Sequence, residues 1–88
     1  MKIKDGYLLR TIADTHIVVP VAERVIEFKG MMILNDVSAN IWEFMADDRE
    51  YDDILAFILS TYEVDRETAQ KDLDALLKRM EESGVLVS

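Results

Sequence analysis

The pattern of the chain changes once, at Asn35-Asp36. Before this pair come short runs rich in β-branched and aromatic residues; after it come apolar residues at helical spacing. A chain built this way is restricted to an α+β arrangement, a small sheet first and helices afterwards. The pair itself suits the seam, because short polar side chains accept hydrogen bonds from the first free N–H groups of a helix. Within the same stretch Ile41, Trp42 and Met45 form a stripe at helical spacing, and Trp42 is the single tryptophan of the sequence.

Upstream of the seam, residues 7–13 (YLLRTIA), 16–21 (HIVVPV) and 24–28 (RVIEF) are expected as strands separated by Asp14-Thr15 and Lys29-Gly30. Lys29-Gly30 leaves two residues between Arg24–Phe28 and Met31–Leu34, the length of a tight hairpin loop. Pro20 has no N–H for a ladder, so its strand is interrupted or lies at an edge there. Downstream, three helices are expected, at about 37–46, 51–62 and 66–82. The second carries Ile54, Leu55, Ile58, Leu59 and Tyr62 as a broad stripe and has no evident N-cap. The third is capped by Asp65, has Glu67 in its first turn, buries Ala69, Leu73, Leu76, Leu77 and Met80, and stops at Gly84. Val85-Leu86-Val87 then folds back onto the core or pairs with the sheet. The expected fold class is α+β, a small N-terminal antiparallel sheet of three or four strands followed by a three-helix bundle, winged helix-turn-helix-like.

An 88-residue chain without repeat, linker or low-complexity tract is expected to form a single domain, residues 1–88, with a modest core and no enclosed active site. No apolar run approaches the roughly 18 residues of a membrane span, and Met1–Gly6 lacks the apolar centre of a signal peptide, so a cytoplasmic protein without membrane attachment is expected. The net charge of −8, from 18 acidic and 10 basic residues, repels a phosphate backbone. A three-helix fold with a wing could read DNA, but the third helix sets Arg66, Lys71, Lys78 and Arg79 against Glu67, Asp72, Asp74, Glu81 and Glu82, whereas recognition helices are basic. Nucleic acid is therefore not an expected partner.

No enzyme constellation emerges. His16 is the only histidine and there is no cysteine, so a metal site lacks its usual donors, and His16 reads as an exposed or edge-strand residue. Ser38 lies at a helix start, where a hydroxyl caps backbone N–H groups more readily than it attacks a substrate. The acidic pairs Asp47-Asp48, Asp52-Asp53 and Glu81-Glu82 are adjacent in sequence, point about 100° apart on a helix, and read as solvated turns and faces. No catalytic residue, metal or cofactor is expected. What remains is a surface: Met31-Met32-Ile33-Leu34 is apolar on both faces, either because both are buried or because its edge receives an extended peptide by strand addition.

Several pieces, taken in order and separation, carry a resemblance: Leu34-Asn35 and Ala39-x-Ile41-Trp42, then Asp53-Ile54 with Tyr62, then Asp72-Leu73-x-x-Leu76-Leu77-x-x-Met80 running into Gly84-Val85-Leu86. Over nearly its whole length the chain resembles the PqqD-like family, small non-catalytic domains that recognise the leaders of ribosomally made precursor peptides. It departs from the family pattern in having Val37-Ser38 where Thr-Gly is commonest, and Met80 and Val85 where Leu is usual. The resemblance implies a leader bound as an added strand against the third strand, in a groove walled by the third helix. The bound precursor is then presented to a modifying enzyme, commonly a radical SAM protein, or to a leader peptidase. It places the docking strand at Met31, Met32, Ile33, Leu34 and Asn35. On the third helix Arg66, Gln70, Leu73, Asp74 and Leu77 share one flank and Asp72, Leu76 and Arg79 the other; the first flank is the one favoured for the groove. A monomer or weak homodimer is expected, since an unoccupied edge strand invites self-pairing. A protein–protein interaction or dimerisation module, and a winged-helix regulator, are the alternative readings.

Overall fold

The computed structural model describes residues 1–21 and 32–87. The elements run β1 (Lys2–Ile3), β2 (Tyr7–Ile12), β3 (Thr15–Pro20), β4 (Met32–Leu34), α1 (Asp36–Phe44), α2 (Tyr51–Thr61), α3 (Arg66–Glu82) and β5 (Leu86–Val87). The expected strand 24–28, its Lys29-Gly30 hairpin and Met31 lie outside the described residues.

Strands β2, β3 and β4 form an antiparallel sheet in that order. Ile12 faces Thr15 in the register, so the β2–β3 loop is Ala13-Asp14, not the expected Asp14-Thr15. Both loop residues take positive φ, 50° and 65°, as the hairpin turn matched to strand twist demands. The alternation of the pleat sends Tyr7, Val18, Met32 and Leu34 inward and leaves Leu8, Ile12 and Ile33 on the outer face. Pro20 ends β3 opposite Tyr7, and the ladder bond to β2 at that end comes from the Val21 N–H to the Gly6 carbonyl, so no donor is required of Pro20 on that side.

Helix α1 starts where expected because the Asn35 side chain accepts from the Ser38 N–H at 2.8 Å. Asn35, not the Ser38 hydroxyl, supplies that cap. The helix ends at Phe44, two residues earlier than expected. Helix α2, whose cap the sequence left unidentified, begins with the Asp53 carboxylate accepting from the Glu50 N–H at 3.1 Å, the half of a capping box that reaches backward. Helix α3 is capped by Asp65, whose carboxylate accepts from Thr68 N–H at 3.3 Å; the Thr68 side chain and then its amide hold that carboxyl below the usual range. At the other end Gly84, at φ 76°, closes a Schellman turn: Val85 N–H donates to the Met80 carbonyl and Gly84 N–H to the Glu81 carbonyl. Met80 and Val85, the two apolar ends of that motif, are fully buried.

The core is one continuous cluster between the inner face of the sheet and the three helices. Trp42, Met45, Ile54, Leu55, Leu73, Leu76 and Met80 meet Tyr7, Val18, Met32 and Leu34 there. After Val85 the chain does not join the main sheet. Strand β5 instead pairs with β1, Lys2 opposite Val87 and Ile3 opposite Leu86, a short ladder the sequence did not suggest. The Met1 ammonium donates to Asp48 Oδ1 at 2.8 Å and to the Arg49 carbonyl, and the ammonium keeps the Asp48 carboxyl below its ordinary range. Among the described residues no helix is long and apolar enough to cross a membrane.

Candidate functional site

Strand β4 pairs with β3 on one side, and among the described residues no strand occupies its other side. Met32 and Leu34 send their side chains into the core, both 2 % exposed, whereas Ile33 is 50 % exposed. The two apolar faces of this strand thus differ in fate: one is buried and the other meets solvent. The Ile33 carbonyl accepts from Arg79 Nη2 of α3 at 2.9 Å. It is therefore turned toward α3, and because a strand residue directs its N–H and C=O to the same side, the Ile33 N–H faces that side as well.

This contact brings Arg79, of the flank Asp72, Leu76 and Arg79, against β4. Of the favoured flank Arg66, Gln70, Leu73, Asp74 and Leu77, Asp74 is held to α2, its Oδ1 accepting from the Tyr51 hydroxyl at 2.6 Å, which raises the Tyr51 pKa, and Leu73 reaches the cleft described below. Arg66 is exposed at the helix start, Gln70 and Leu77 are half-buried, and Leu73 lies wholly in the core.

Between α1 and α3, with α2 at one end, lies a cleft of about 360 Å³ that begins at Asn35, the residue after β4. Asn35, Val37, Ser38 and Ile41 supply one wall and Asp72, Leu73, Leu76 and Arg79 the other, with Ile58, Tyr62 and Val64 at the α2 end. Its lining is mostly apolar, and its charged groups are Asp72 and Arg79, two helical turns apart, or about 10 Å. The sequence reading missed Val37, Ile41, Tyr62 and Val64. Tyr62 carried a signal, since it ends the α2 stripe with a polar tip, and its hydroxyl accepts from Asn40 Nδ2 at 2.6 Å to tie α2 to α1 beside the cleft.

His16 sits on the central strand, not at an edge, and bridges three elements. Its Nε2 lies 2.7 Å from Asp36 Oδ1 on α1 and its Nδ1 lies 2.7 Å from Thr11 Oγ1 on β2. One neutral tautomer satisfies both contacts, Thr11 donating to Nδ1 and Nε2–H donating to Asp36. The ring thus pins the start of α1 to the sheet beside the end of β4. Among the described residues no three His, Asp or Glu side chains converge to hold a metal.

Among the described residues this small α+β domain thus has β4 as the last strand of its sheet, Arg79 of α3 against that strand, and an apolar cleft between α1 and α3. The chain belongs to the PqqD family: the family model described as coenzyme PQQ synthesis protein D matches residues 15–86. Two solved structures share its fold. TbiB1 in complex with the TbiA(beta) leader peptide is 24% identical at a TM-score of 0.75, covering 98% of this chain and 94% of TbiB1. A lasso peptide synthetase B1 complexed with the leader peptide is 22% identical at a TM-score of 0.73, covering 99% and 96%. No curated protein matches the sequence.

Proposed function

We propose that this domain, spanning residues 1–88, binds the leader of a ribosomally synthesised precursor peptide as a strand added to β4 and presents the precursor to a modifying enzyme. The observation that carries the reading is the position of Ile33: its carbonyl is turned to Arg79 of α3 and not to a described strand, and Arg79 also lines the apolar cleft between α1 and α3. Membership of the PqqD family and a fold shared with two leader-peptide complexes support it. The domain contributes no catalytic residue or cofactor. The enzyme served is of the radical SAM class or a leader peptidase, and the encounter takes place in the cytoplasm, with the domain acting as a monomer or weak homodimer.

Backbone hydrogen bonds to Ile33 give such a complex its register, and apolar leader side chains seated in the cleft give it selectivity. Asn35 and the Asp72, Leu76 and Arg79 flank are the side chains assigned to that contact, together with β4 (Met32, Ile33 and Leu34), whose outward-facing backbone groups are those of Ile33. Ordering a flexible leader costs on the order of 2–5 kcal/mol, so a dissociation constant between micromolar and high nanomolar is expected. Holding the leader then raises the concentration of the core peptide that the enzyme meets.

The test is a titration of the purified domain with the leader half of a short peptide encoded beside it, following backbone amide shifts by NMR. Saturable shifts at Met32–Asn35 and at Asp72, Leu76 and Arg79 are expected. A spectrum unmoved by every neighbouring peptide would overturn the reading.

A further inference from the structure

Arg79 makes an unusual use of its guanidinium. It is an exposed residue of α3, yet its fork reaches neither a carboxylate of its own helix nor solvent alone, and donates to a main-chain carbonyl 46 residues away in sequence. That carbonyl belongs to Ile33, the central residue of a three-residue strand. The group is of the kind a further strand must use to join the sheet.

We infer that Arg79 is a displaceable cap on the edge of β4, which keeps the edge from pairing with β4 of a second copy of this chain and gives way when another strand is added. The displacement half rests on the reading that a peptide joins β4; the capping half does not. Three observations argue for a second copy as the occupant that is kept out. The outer face beside the edge is apolar, with Ile33 50 % exposed and cross-strand from Ile17, so two such edges meeting would bury it. A strand pairing with its own copy does so antiparallel about a twofold axis, and a central residue then meets its equivalent, so the Ile33 N–H and C=O of each copy would serve the other. The β4 segment itself, Met32-Ile33-Leu34, carries no charged side chain to oppose that approach, and charged side chains are the common means of protecting an edge. Arg79 provides the missing charge from a neighbouring element and spends it on the exposed acceptor.

The cap is reversible because it is one hydrogen bond from a flexible side chain. An added strand replaces it with an N–H donor of its own and leaves the guanidinium to the solvent or to an acceptor on the incoming chain.

The decisive experiment compares wild type, Arg79→Met and the double variant Arg79→Met, Ile33→Pro by sedimentation equilibrium over a wide concentration range, with amide hydrogen exchange at Ile33. Met keeps an apolar stem and removes the fork; Pro removes the Ile33 N–H, which faces away from β3 and so takes no part in the β3 ladder. The expected result is self-association of Arg79→Met at a concentration at least tenfold below that of wild type, new protection of the Ile33 amide in that variant, and loss of the self-association in the double variant. Equal association of wild type and Arg79→Met overturns the proposal, and so does association that survives Ile33→Pro. Thermal melting is measured on each protein, and Arg79→Gln takes the place of the Met variant if that one melts early. A domain that ignores every leader but self-associates on loss of Arg79 would keep the cap and discard the leader reading. A domain that binds leaders and is indifferent to Arg79 would do the reverse.

Discussion

Phe44 and Phe57 lie face to face, 4.4 Å between ring centroids and 8° from parallel, and Arg49 covers the other side of Phe44 with its guanidinium carbon 4.1 Å from the ring centre. The stack fastens the end of α1 to α2 at the boundary of the core, where both rings are half-buried. A double-mutant cycle with Phe44→Leu and Phe57→Leu is expected to give a coupling energy of roughly 0.5–1.5 kcal/mol in urea unfolding. Strictly additive losses would show that the rings contribute only by the area they bury.

Trp42 is 6 % exposed among the inward faces of α1 and the sheet. Trp42→Ala should cost about 3–5 kcal/mol, much of the stability of a small domain, and leave a protein largely unfolded at 37 °C. Circular dichroism is the check, and a variant melting close to wild type would remove the tryptophan from the core.

Ile33→Pro separates binding from folding. Its lost N–H faces α3, so the domain should keep its far-ultraviolet spectrum while its affinity for a leader falls at least tenfold, as read by isothermal titration. Unchanged affinity in a folded variant would mean that the peptide does not pair with β4.

The Ala13-Asp14 loop holds two non-glycine residues in the left-handed region, at a cost of about 1 kcal/mol for alanine. Asn at position 13 with Gly at 14 meets the same geometry without that strain, so the double substitution should raise the melting temperature by roughly 4–8 °C. A lower melting temperature would show that the native turn is of another kind.

Asp48 and Asp65 both have carboxyl pKa values below the usual range, the first through the Met1 ammonium and the second through Thr68. A carboxyl depressed in the folded state adds stability that is present above its unfolded value of about 3.9 and is lost as pH falls through the folded one. The melting temperature should therefore be flat near neutrality and decline below about pH 4. Asp65→Asn, which keeps a capping oxygen and removes the charge, should leave the neutral value nearly unchanged and reduce the acid slope. An acid slope identical to wild type would place the pH dependence elsewhere.

The helices were legible because their signals are local. Asp65, Gly84 and the Leu73, Leu76, Met80 spacing state a start, a stop and a buried face within one stretch of chain, and Asn35 does the same for α1. What escaped notice depends on partners distant in sequence. Lys2-Ile3 is too short to read as a strand until Leu86-Val87 lies beside it. The two flanks of α3 are equivalent by periodicity, and the contacts that distinguish them, Tyr51 to Asp74 and Arg79 to Ile33, come from 23 and 46 residues away. The cleft suffered most, since Val37, Ile41, Tyr62 and Val64 come from separate elements and each looks like ordinary core residues or loop. The β4 segment was legible only as a pair of alternatives, because four consecutive apolar residues fit a strand buried on both faces as well as one with an open edge.

The pairing of β1 with β5 brings the two ends of the described chain to one spot. Geometrically the domain then resembles a bead with a single eyelet: anything attached to the first strand or to the last hangs from the same place. A partner fused at either end would hold the cleft at a similar distance, and the domain could equally be set into a surface loop of a larger host with both connections made at that one point.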